Sequence, residues 1–361
     1  MKKITLLLLA GLLLQTASAQ KTKNVIVVTF DGYRWQELFQ GPQQSLLERE
    51  KFTKNKETLT QKYVGNSLEE SRKKLTPFLW GEVAAKGLIF GNKKAGSKMT
   101  ITNGHKFSYP GYSEIFCGWG DKKINSNDYP NNPHQTIFDF LEQQPDFAKK
   151  TAAVGTWDAF TRIINTSRNK VPVFVEFRKD STGTILSKDN KSFTQYQTNI
   201  PIASKLCESD TLTYRFAKEY FHRNKPRFFF VGFDETDHFA HSGQYDNYLD
   251  AAHTLDSYLA DLWNYVQTTE EYKDKTTLIV TCDHGRGSNV GSQWRHHGQP
   301  VPGAEYIWMA MIGPDTPAKG ELKAIHHYHQ NQIAQTIAHL LGKEFTADHF
   351  IGKAIDSVFS K

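Results

Sequence analysis

Val25–Gly32 reads VIVVTFDG and Thr277–Gly285 reads TLIVTCDHG. Each is a short apolar run without polar alternation that meets an aspartate and then a glycine able to turn the chain. A strand apolar on both faces is covered on both faces, as in a parallel sheet packed between helices. Ala152–Gly155, Arg227–Phe233 and Ile307–Ile312 have the same character. Helical patterns lie between them. Tyr248, Ala252, Leu255, Leu259, Leu262 and Val266 recur three or four apart, and Ile333, Ile337, Leu340 and Leu341 do so before Gly342, a natural helix stop. Strands alternating with helices predict an α/β fold, a doubly wound, mostly parallel sheet flanked by helices.

In such sheets ligands bind beyond the carboxyl ends of the strands. The chain puts its acids and imidazoles there. Asp31 follows the first run, and Asp237 and His241 come shortly after Arg227–Phe233. Asp283 and His284 follow Thr277–Cys282 directly, and His297 lies on the loop before the next run. Taken singly, each has an ordinary explanation: an aspartate after a strand caps helices, and Asp237 with His241 is a common i, i+4 surface pair. Three strands ending this way are harder to explain separately. Nitrogen and carboxylate donors in this number suit two divalent ions, zinc by ligand type, sharing one cleft. Without such ions the acids would crowd uncompensated negative charge together. His326, His327 and His329 also cluster, but they precede a helix and read as a solvated turn.

Together these residues resemble the alkaline phosphatase superfamily, in its nucleotide pyrophosphatase/phosphodiesterase branch. VVTFDG at Val27–Gly32 resembles that family's first metal-binding strand and turn, TDHFAHSG at Thr236–Gly243 its PDxxGHxxG segment, and TCDHG at Thr281–Gly285 its SDHG motif. RHHG at Arg295–Gly298, YIWMAMIGP at Tyr306–Pro314 and the closing His329–Gly342 segment follow in the family's order. The resemblance implies one ion held by Asp31, Asp283 and His284 and another by Asp237, His241 and His297. It also implies a nucleophile in a TFPNH-like segment. Phe107–Gly111 (FSYPG) matches with serine for threonine and glycine for asparagine, which nominates Ser108, with Ser113 as a nearby competitor. Asn127, or else Asn125, corresponds to an asparagine that contacts a phosphate oxygen. Arg286 departs from the diesterase pattern, and either clamps substrate phosphate or faces solvent.

The rest of the chain sets the context. Lys2 and Lys3, the apolar Ile4–Leu14 and the small residues Ala17-Ser18-Ala19 read as an export signal over residues 1–19, which predicts a periplasmic or secreted protein. Residues 20–361 read as a single catalytic domain with a possible cap insertion at about 161–213, where the polar sequence breaks the α/β rhythm. Leu38–Lys74 reads as a charged, helical surface excursion. The formal charge of +6 comes without a basic block, so no nucleic-acid partner is implied, and no later segment is long and apolar enough to span a membrane. Cys117, Cys207 and Cys282 leave room for one disulfide at most.

The expected activity is hydrolysis of a small-molecule phosphate ester, monoester or diester, through a phosphoseryl intermediate. Arg286, Lys106 and Arg34 favour a monoester, whereas Tyr109, Tyr112, Phe116 and Trp35 could line a slot for a diester's second group. A sulfatase would need a CxPSR-type segment, which does not occur. A phosphoglycerate-mutase-like isomerase and an inactive metal-binding module are rivals that would use the same ligand set.

Overall fold

The computed structural model describes residues 20–175, 178–179, 185–186, 208–288, 291 and 293–360. The export signal therefore lies outside the described residues, as does Cys207, while Cys117 and Cys282 are buried free thiols.

Among the described residues the main sheet has eight strands. In chain order they are β1 (Asn24–Phe30), β2 (Leu88–Phe90), β3 (Thr151–Gly155), β4 (Val173–Val175), β5 (Phe228–Phe233), β6 (Thr276–Thr281), β7 (Met309–Ile312) and β8 (Gly320–Glu321). Across the sheet the order is β8-β2-β7-β6-β1-β5-β3-β4. The five strands from β6 to β4 are parallel. β1 is buried along its whole length, as an apolar run with helices on both sides requires. Helices α1 (Trp35–Gln40), α2 (Ser108–Cys117), α3 (Glu208–Asn224), α4 (Glu235–Ser242), α5 (Tyr245–Thr268) and α6 (Ile333–Leu340) supply most of that cover. The periodic face of α5 is buried as its spacing requires, and Gly342 takes a left-handed φ of 69° just beyond α6.

Several expectations need correction. The run at Ile307–Ile312 is interrupted at Trp308, and its second part, β7, pairs antiparallel with both β6 and β2. Apolarity reports burial and is silent on direction. The stretch from Leu38 to Lys74 is not all surface: α1 is buried, as are Leu46, Leu47 and Phe52, whereas the helices at Lys56–Tyr63 and Leu68–Leu75 each bury only two residues. The two ends of the stretch at about 161–213 that was expected to be a possible cap insertion contain regular elements. Phe160–Ile164 forms a helix and β4 completes the sheet edge on one side, while on the other α3 packs on β5. Most of the intervening stretch lies outside the described residues. His326–His329 is a strand paired with Ser97–Thr100, and the rings of His327 and His329 both meet Thr100 Oγ1, at 2.9 and 3.1 Å.

Candidate metal centre

β5, β1 and β6 are neighbours, and their register aligns Phe30 with Phe233 and Thr29 with Thr281. Their carboxyl ends are therefore level, and whatever follows them converges. Asp31 follows β1, Asp237 stands in the first turn of α4 after β5, and Asp283 and His284 leave β6. Asp31, Asp283 and His284 form one group whose donor atoms lie within 4.8 Å of one another, and Asp237, His284 and His297 form a second.

The first group has the dimensions of a metal site. His284 Nε2 is 3.4 Å from Asp31 Oδ1, 3.5 Å from Asp283 Oδ2 and 3.4 Å from Ser108 Oγ. Four donors around an ion with bonds of about 2.0–2.1 Å would stand about 3.3–3.4 Å apart. Each carboxylate spends its other oxygen on the protein: Tyr112 Oη donates to Asp31 Oδ2 at 3.0 Å, and Gly32 N–H donates to Asp283 Oδ1 at 3.1 Å. Asp31 Oδ1 and Asp283 Oδ2 are left buried without a hydrogen-bond partner. Two orphaned carboxylate oxygens facing one imidazole nitrogen are costly unless a cation sits among them, so the residues fit the ion. The imidazole is prepared for it as well. His284 Nδ1 donates to Gly285 O at 2.9 Å, which leaves the Nε2 lone pair free.

His241 Nε2 is 3.2 Å from Asp237 Oδ2 and 2.8 Å from His297 Nε2, and His297 Nε2 is 3.7 Å from Asp237 Oδ1. His297 Nδ1 donates to Lys106 O at 3.2 Å, which again frees Nε2. Burial, followed by the charge of His284, pushes His297 down to about 2, which favours the neutral imidazole. These three side chains make a second donor set beside the first, with His284 between them.

Burial is the largest force raising the carboxyls of Asp31 and Asp283 well above their ordinary value of 3.8. The charge of Asp237 adds to it for Asp31, and the charge of Asp31 for Asp283. A folded-state pKa above the unfolded one contributes stability at low pH that is lost as pH rises toward the folded value. Chelated protein should therefore melt at progressively lower temperature as pH rises above the ordinary carboxyl value of 3.8, and Asp283→Asn should shrink that fall. A thermal-unfolding series with and without zinc checks it, because a bound ion should remove the dependence.

Ser108 is the first residue of α2, a ten-residue helix, so its hydroxyl sits where the helix dipole favours negative charge. Gly111 makes this placement possible: a Cβ there would come within 2.4 Å of Asp283 O. The glycine that stands for the family's asparagine thus allows α2 to lie directly against the end of β6. Ser113 is elsewhere, accepting from Asn132 Nδ2 at 3.0 Å within the core. Asn127 Oδ1 accepts from Tyr109 N–H at 3.0 Å, which holds that amide beside the start of α2, whereas among the described residues no side-chain bond holds Asn125. Tyr112 is a contributor that motif matching missed. Its position one turn after Ser108, on the same helical face, was the available signal.

The groups expected to choose substrate are committed to other partners. Arg34 is fully buried against Glu37, and Lys106 Nζ pairs with Glu305 at 3.0 Å. Arg286 neither faces solvent nor presents a free fork: it is 1 % exposed, and Nη1 donates to Asp237 Oδ1 at 2.6 Å. Tyr109, Tyr112, Phe116 and Trp35 are buried, Tyr109 Oη donating to Pro130 O at 2.7 Å.

Gly32 is where these parts crowd closest. Its φ is +56°, and a Cβ would lie 2.8 Å from Asp237 Oδ1 and 3.1 Å from both Arg286 Nη1 and His284 Cε1. Gly32→Ala should cost at least about 2 kcal/mol of stability from the left-handed backbone and the clash together. A lowered denaturant midpoint with reduced zinc uptake is the expected result, and an unchanged midpoint contradicts it.

A family model described as type I phosphodiesterase / nucleotide pyrophosphatase matches residues 51–336. None of the curated proteins matches the chain. Among solved structures, wild-type alkaline phosphatase PafA superposes with a TM-score of 0.60 at 13% identity, over 94% of this chain and 99% of its own. BT1596, a 2-O GAG sulfatase, gives 0.57 at 11% identity, over 91% and 72%. The lipoteichoic acid synthase LtaP from Listeria monocytogenes gives 0.53 at 14% identity, over 94% and 76%. Likeness at these identities concerns the fold, which is that of alkaline phosphatase.

Proposed function

The chain belongs to the type I phosphodiesterase / nucleotide pyrophosphatase family, and from that premise we propose that it is an exported two-metal hydrolase of phosphate monoesters or diesters working through a phosphoseryl intermediate. The observation that carries this reading is Ser108 Oγ at 3.4 Å from His284 Nε2, beside the orphaned oxygens of Asp31 and Asp283. A nucleophilic hydroxyl needs help to lose its proton at neutral pH, and here it stands among metal ligands.

Asp31, Asp283 and His284, with Ser108, would hold one divalent ion, zinc by donor type, and Asp237, His241 and His297 the other. Bound there, the ions supply positive charge that lowers the serine pKa and balances the charge on the departing oxygen. The remaining steps belong to the chain. Ser108 Oγ bonds to phosphorus as the leaving oxygen departs, opposite in line. Water then attacks the same phosphorus, and the phosphorus–Oγ bond breaks to restore the serine. Asn127, held through Oδ1, turns its Nδ2 donors to the phosphoryl oxygens, where hydrogen bonds strengthen as charge gathers. Tyr112 and Gly32 keep Asp31 and Asp283 oriented throughout.

Purified protein reconstituted with zinc should hydrolyse p-nitrophenyl phosphate or its bis-ester, lose that activity to a chelator, and leave p-nitrophenyl sulfate almost untouched. Faster turnover of the sulfate than of both phosphates would overturn the reading. Material recovered outside the cytoplasm should begin at Gln20, which intact-mass measurement checks.

A further inference from the structure

The two donor sets differ in charge. Asp31 and Asp283 bring two carboxylates to theirs. Asp237 is the only carboxylate in the other set, and a guanidinium already neutralises it. Arg286 Nη1 donates to Asp237 Oδ1 at 2.6 Å, and the arginine cannot swing away. Nε donates to Trp294 O at 3.1 Å, and Nη2 donates to Arg295 O at 3.1 Å and Asp237 O at 3.4 Å. Three main-chain carbonyls therefore fix its plane. The rest of the second set is imidazole, from His241 and His297, which brings no negative charge to an ion. Affinity for a divalent cation follows the number of charged ligands, so the two sets cannot bind equally.

We propose that Arg286 is a positioning residue that keeps the Asp237–His241–His297 set weak, so that its ion is held firmly only together with the substrate's phosphoryl group. This rests on the two-metal reading above. The phosphoryl oxygens supply the negative charge that Arg286 cancels, and the second ion and the substrate then bind cooperatively. The pinned guanidinium also holds Asp237 Oδ1, while Oδ2 lies 3.2 Å from His241 Nε2. Linkage requires the converse effect: raising the free metal concentration tightens phosphate binding by the same factor.

Equilibrium dialysis of metal-stripped protein against zinc, with bound metal counted by elemental analysis, tests this without any assay of turnover. Wild-type protein should take up one ion tightly and a second about 100-fold more weakly, by the Coulomb cost of a fixed cation near it. Inorganic phosphate should bring the second affinity to within about 10-fold of the first. Arg286→Gln should tighten the second site and remove most of the phosphate dependence, whereas Arg286→Lys, which keeps the charge, should behave like wild type. Two equal affinities in wild-type protein, indifferent to phosphate, would overturn the proposal while leaving the two-metal reading intact. So would an Arg286→Gln variant, folded by circular dichroism, whose second site is no tighter. Failure of the two-metal reading looks different: no tight ion binds at all, or Asp31→Asn and Asp283→Asn retain it.

Discussion

Asp283→Asn should lose at least about 10³-fold in kcat/KM, beyond the 10–100-fold typical when only a partner of a metal ligand is removed. The change is conservative in shape. Asparagine can still accept the Gly32 N–H through Oδ1. It lacks the second, orphaned oxygen that faces His284 Nε2 at 3.5 Å, and it lacks the charge. Loss of activity should accompany loss of the first zinc ion. The metal-free variant should not be less stable than metal-free wild type, because burial already penalises ionised Asp283. Zinc content, melting temperature and turnover measured on one preparation separate loss of metal from loss of fold. Near-native turnover in this variant removes Asp283 from the site.

Ser108→Ala should reduce turnover by roughly 10⁴–10⁶-fold, the scale of losing a nucleophile. Zinc should still bind, since Asp31, Asp283 and His284 remain, and stability should change little because a single hydroxyl is removed. The diagnostic readout is covalent. Acid-quenched wild-type protein incubated with a labelled phosphate ester should carry phosphate on the peptide containing Ser108, and the alanine variant should carry none. Ser113→Ala serves as control, as its hydroxyl is tied to Asn132 in the core away from the donors. Label on Ser113, or a Ser108→Ala variant with ordinary turnover, rules out the assigned nucleophile. Ser108→Thr should retain activity within about 100-fold, since a secondary hydroxyl can take the same role.

Much of this candidate centre was legible in the sequence because most of its potential donors sit at or near the ends of apolar runs. Asp31, Asp283 and His284 follow their apolar runs with no gap, and Asp237 with His241 is spaced by one helical turn. The turn glycines Gly32 and Gly285 carried equal information: a Cβ at Gly285 would come within 2.2 Å of Tyr306 O. Roles that depend on the direction of a side chain were not legible. Arg286 could be read either as a phosphate clamp or as a solvent-facing side chain, yet its partners are Asp237 and the carbonyls of Trp294 and Arg295. Arg34 and Lys106, read as cations favouring a monoester, are likewise paired, with Glu37 and Glu305.

By itself the sequence determined that a parallel sheet would form and which residues would stand at its carboxyl edge. Continuous apolarity and the residue after it are local properties of the chain, and burial on two faces leaves few arrangements open. Only the tertiary structure decided that β5, β1 and β6 are adjacent, that β7 runs antiparallel, and which oxygens of Asp31 and Asp283 remain unpaired. Those outcomes depend on pairings across up to about 250 residues of separation, such as the bond from Gly32 N to Asp283 Oδ1, |i−j| = 251. Packing between distant segments sets them, and no spacing within one segment encodes it.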